Sequence, residues 1–77
     1  MQDKAWIEKV LEELKTERKH QLVVLRKLQT MYDEFRKQGF KVDALLELIA
    51  TWKQNISSVE EKIRELESLL EPKQNKT

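Results

Sequence analysis

Arg36-Lys37-Gln38-Gly39-Phe40-Lys41-Val42-Asp43 holds the only glycine in the 77 residues. Glycine lacks a Cβ and takes positive φ at little cost, so Gly39 suits the left-handed residue that ends a helix. Arg36 and Lys37 just before it complement the negative end of a helix dipole. Phe40 is placed to fold back on that helix end, and Asp43 to cap a second helix. The stretch therefore predicts a chain reversal over residues 38 to 42.

On its N-terminal side a seven-residue apolar repeat runs through Ile7, Leu11, Leu14, Arg18, Gln21, Leu25, Leu28, Tyr32 and Phe35. Val10, Val24 and Met31 widen this stripe on one flank and Leu22 on the other, as in a bundle helix. Between Lys15 and Gln21 the stripe turns polar without a Gly or Pro, so one continuous helix is expected, with Asp3 as its cap. On the C-terminal side the repeat is cleaner: Val42, Leu45, Ile49, Trp52, Ile56, Val59, Ile63, Leu66 and Leu70. The two repeats do not share a phase. Carrying the first past Gly39 would put Lys53, Glu60 and Glu67 in the apolar seam, so a single straight rod is rejected. An antiparallel helical hairpin, with helices over 3–38 and 43–71, fits both repeats.

Folding the chain about residue 40 sets Phe35 near Leu45, Leu28 near Trp52, Leu14 near Leu66 and Leu11 near Leu70. It also sets Lys15, Arg18 and Lys19 beside Glu60, Glu61 and Glu65, where opposite charges meet as the apolar stripe thins. Exposed pairs of this kind contribute about 0.5 kcal/mol each, so they choose register more than they add stability. Ser57 and Ser58 stand three residues before Glu60 and Glu61, which is capping-box spacing. That spacing admits a three-helix alternative broken near Asn55 to Ser58, but the repeat passes through Ile56 and Val59 undisturbed. Pro72 predicts a helix stop, followed by a polar tail over 72–77.

Composition sets the class. Charged residues make up 38% of the chain at a net charge of +1, with one proline and no cysteine. This is the composition of long helices, and the near-neutral balance argues against a protein that coats nucleic acid. Without cysteine there is no disulfide or thiolate metal site, and His20 is the only histidine. No cofactor is expected. The run Leu22-Val23-Val24-Leu25 is too short to span a membrane. The first residues, Met1 to Trp6, lack a signal peptide's apolar core, which places the expected location in the cytosol or nucleus.

No catalytic constellation is visible. Asp33-Glu34 and Glu60-Glu61 are adjacent carboxylates, which point apart on a helix. There is no Gly-rich phosphate loop, nucleophile elbow or HExxH, so an enzyme is not expected. His20, between Lys19 and Gln21, reads as a solvated helix residue rather than a pH switch. Trp52 occupies a seam position and reads as core, whereas Trp6 stands near the open end of the hairpin.

Two surfaces remain as binding candidates. Leu22, Val23, Val24, Leu46, Leu48 and Leu69 fall partly outside the best seam, with Trp6 beside them. Leaving each such side chain in water forgoes about 1.5–3 kcal/mol of burial. This surplus predicts a protein–protein interaction module, pairing with itself as a homodimeric four-helix bundle or with another helical protein. Alternatively Lys15, Lys19 and Arg26, with Arg18 and Lys27 nearby, form a basic stripe for an anionic partner. Aromatic residues that would stack on bases are not interleaved with it.

Overall fold

The computed structural model describes residues 4–71. Two helices make up the fold: α1, Lys4–Lys37, of 34 residues, and α2, Asp43–Leu70, of 28 residues. They pack against each other as a hairpin. At 1.5 Å per residue they are roughly 51 and 42 Å long. The molecule extends 57 × 26 × 14 Å, a single layer of two rods.

The reversal is built as the sequence predicts, and its hydrogen bonds explain why glycine is required. Gly39 has φ +85. Its N–H donates to the Arg36 carbonyl at 3.0 Å, and the Phe40 N–H donates to the Phe35 carbonyl at 3.0 Å. This pair of bonds is a Schellman motif, which satisfies carbonyls the helix end would leave unpaired. The Phe40 ring folds back on Phe35 edge-to-face, with centroids 5.6 Å apart. That apolar contact across the helix end completes the motif.

Entry into α2 differs from expectation. Asp43 is already inside the helix, in its first turn, and the cap position is Val42, which makes no side-chain capping bond. The Val42 carbonyl instead accepts the Leu46 N–H at 3.0 Å. The reason is apolar: Val42 belongs to the α2 seam and is half-buried, so the helix starts where that side chain packs. Asp43 still places a carboxylate near the positive end of the helix dipole. The cap assigned to Asp3, and the tail over 72–77, lie outside the described residues.

α2 is unbroken through Asn55, Ser57 and Ser58, so the three-helix alternative is excluded. Ile56 is buried and Val59 half-buried against α1, while both serines are exposed. Burial of the seam outweighs the weak local preference of serine for a cap. At its end, Glu71 takes an extended conformation, φ −70 and ψ 146, as a residue before proline must.

The core is a line, not a volume. Ile7, Leu11 and Leu28 of α1 are buried with Ile49, Ile56 and Ile63 of α2. The remaining seam positions are half-buried, except Phe35 at the turn, which stays exposed under Phe40. Even Ile7 and Ile63 keep 3% of their surface in water, and no described large side chain is more completely enclosed. A helix with one neighbour has a packing partner over only part of its circumference.

Candidate interaction surface

Each helix has two strips flanking its seam, and the hairpin aligns them as two long edges. One edge is marked by its ion pair: the Lys15 ammonium lies 3.5 Å from a Glu67 carboxylate oxygen, both side chains being partly exposed. Positions seven residues apart share a strip, so Leu22 and Arg36 follow Lys15 along α1, while Glu60, Lys53 and Leu46 follow Glu67 back along α2. Leu11 and Leu70 border the groove that Lys15 and Glu67 close. This matches the expected neighbourhood of Leu11 and Leu70. The charge register is different from expectation, however: Lys15 meets Glu67 rather than Glu60, Glu61 or Glu65. Glu61 and Glu65 sit on the outer face of α2 and are exposed, out of line with the seam edge.

The opposite edge is richer in carbon. On α1 its strip carries Val10, Glu17, Val24 and Met31; on α2 it carries Leu48, Asn55, Lys62 and Leu69. Leu48, Met31 and Leu69 are exposed, Leu69 at 64%. Val10 and Val24 are half-buried, so Val24 contributes to the flank of the seam more than to free surface. Trp6 stands one turn before Val10 and is 61% exposed. Leu22 and Leu46 belong to the ion-pair edge, and Val23 to the back of α1, so the apolar candidates divide over three faces. Val23 lines a shallow, open depression there with Arg26, Lys27, Thr30 and Met31. The Thr30 hydroxyl donates to the Arg26 carbonyl at 3.1 Å, which keeps that polar group occupied within the helix.

Two exposed aromatics were not among the candidates. Phe35 belongs to the seam repeat and Phe40 to the turn, yet both present apolar surface, Phe40 at 59%. Phe35 lies in the last turns of α1, where its ring meets Phe40 at the turn and is not enclosed by the seam. Trp52 is half-buried within the seam, in keeping with a core role.

The basic residues do not gather on one surface. Lys15 is engaged with Glu67, and Arg18 occupies a half-buried seam position. Lys19 and Arg26 share an outer strip, and Lys27 lies beside Arg26 on the depression that both line at the back of α1. His20 is exposed. Among the described residues no group of three or more His, Cys, Asp or Glu side chains is placed to hold a metal. No described helix is long and apolar enough to cross a membrane.

No protein-family model matches the chain, and neither a curated protein nor a solved structure shows significant similarity to it. The surface must therefore be read from its own chemistry.

Within the seam, Gln21 carries a buried polar atom. Gln21 donates through Nε2 to a Glu17 carboxylate oxygen at 3.3 Å, while its Oε1 is buried with no hydrogen-bond partner. A buried acceptor without a donor costs about 1–3 kcal/mol. A polar residue at a seam position characteristically fixes helix register and number of partners at the expense of stability.

Proposed function

We propose that this chain is a non-enzymatic protein–protein interaction module that works by helix packing, its two-helix layer completed by further helices. The observation that carries the reading is the single-layer core. Among the described residues nine large apolar side chains are exposed, and no large side chain is fully enclosed. Domains reach stability by packing one layer on another. For a chain of this size the unburied surface is comparable in energy to the whole stability of a small domain. The second layer is either another copy of the chain, giving a four-helix bundle, or the helices of a different protein that the module captures or blocks.

The alternative is a nucleic-acid-associated protein using Lys15, Lys19 and Arg26. The engagement of Lys15 with Glu67 and the seam position of Arg18 leave this stripe thin. Salt separates the two readings, because phosphate contacts release counterions and weaken steeply between about 50 and 200 mM salt. The test is affinity capture from the source lysate at both salts, with and without nuclease. A protein retained under all four conditions, and lost with a helical Leu48→Lys/Leu69→Lys variant, supports the module. Recovery of nucleic acid alone, lost at the higher salt and abolished by Lys15→Glu with Lys19→Glu, would overturn it.

A further inference from the structure

The edge opposite the Lys15–Glu67 pair has a charge pattern that is complementary to itself in only one arrangement. Helical side chains lean toward their own N-terminus, so the contact of Lys15 with Glu67 places the fold-back close to residue 40. On the opposite edge this sets Val10 level with Leu69, Glu17 with Lys62, Val24 with Asn55 and Met31 with Leu48, to within about one helical turn. From this pattern we infer that a second copy of the chain covers this edge, related by a twofold axis along the hairpin, with both turns at the same end. The inference rests on the interaction-module reading and names its partner and its face.

The twofold axis lays α1 of one copy over α2 of the other at the same height. Val10 then meets Leu69, Met31 meets Leu48, and Glu17 meets Lys62, each across the interface and each twice. Apolar faces apolar at two of the four levels, the one acidic position faces the one basic position at a third, and at the fourth Val24 faces Asn55. In the opposite orientation α1 would lie on its own copy. Every seven-residue slide of that pairing brings Glu17 against Val10, Val24, Met31 or another Glu17, which strands a carboxylate or sets like charges together. Area agrees: a stable interface takes roughly 800 Å² from each partner. Along a hairpin 57 Å long that is a strip roughly 14 Å wide, well inside its 26 Å breadth.

Charge exchange between chains tests the pairing. The Glu17→Lys and Lys62→Glu variants, each checked for unchanged helicity, are expected to dimerise about tenfold more weakly than the natural chain by sedimentation equilibrium. An equimolar mixture of the two is expected to recover dimer within a few-fold of the natural chain, because only the mixed dimer pairs lysine with glutamate at both contacts. A spin label on Gln38→Cys reads orientation: the two labels should be separated by a distance near the 26 Å breadth rather than the 57 Å length. A natural chain that stays monomeric at 100 µM (on the order of the concentrations at which weak pairs form) overturns the inference. So does a mixture no better than its components, or a label separation near the molecular length. If the chain is monomeric yet retains a protein in the salt and nuclease experiment, the module reading stands and the self-pairing falls. If it retains none, both fall.

Discussion

An alanine at position 39 would meet no atom within 4 Å of its Cβ, so its effect isolates backbone conformation from packing. With φ at +85 the strain of a left-handed L-residue is about 1–2 kcal/mol. The stiffer unfolded chain returns about 0.4–1 kcal/mol of that. Gly39→Ala is therefore expected to lower the melting temperature by a few degrees in a circular-dichroism melt. An unchanged or higher value would mean that the Schellman turn does not hold in solution. Gln21 gives the opposite sign. Replacing it with leucine removes the buried, unpartnered Oε1 and fills a seam position with carbon, so Gln21→Leu is expected to raise stability by about 1 kcal/mol or more. The same change removes a polar marker of register, and a broader distribution of oligomers in sedimentation velocity should accompany the gain. A destabilised variant would show that Gln21 has a partner in solution.

For α2, the contest between local and tertiary preference is settled at residues 55–59. Ser57 and Ser58 have the spacing of a cap, yet the helix continues because Ile56 and Val59 are held against α1. Two substitutions separate the causes. Ile56→Ala removes buried carbon from a site only 6% exposed and should cost about 2–4 kcal/mol. Ser58→Ala, on an exposed mid-helix position, should be neutral or slightly stabilising, since alanine is the better helix former. If Ser58 were a cap, the same change would cost about 1 kcal/mol, and a urea melt distinguishes the two outcomes. The Lys15–Glu67 pair is a smaller matter: both side chains are 40% or more exposed, so Lys15→Ala should shift stability by less than about 1 kcal/mol.

A layer 14 Å thick has no interior to speak of, and that governs the behaviour of the whole molecule. If a second layer completes it, folding and association are linked, and the melting temperature must rise with protein concentration. A rise of several degrees between about 1 and 100 µM is the expected result, following the mass-action dependence of an associating fold. A melting temperature independent of concentration would leave the hairpin stable by itself. Much of this architecture was legible in the chain. The single glycine, the phase break between two seven-residue repeats and the flanking Phe40 together specify the reversal, because each acts over a few bonds or a single turn. The continuity of each helix was legible for a similar reason, since seam periodicity is a local pattern. Tertiary packing decided the rest. It made Val42 the cap position of α2 and put Asp43 inside the first turn, joined Lys15 to Glu67 rather than to Glu60, Glu61 or Glu65, and split the apolar surplus over different faces. These outcomes depend on how far one helix slides and rotates against the other. A shift of half a turn changes which charges meet while leaving the repeat itself untouched, so periodicity determines which residues face the seam and only the packed pair determines what each edge presents.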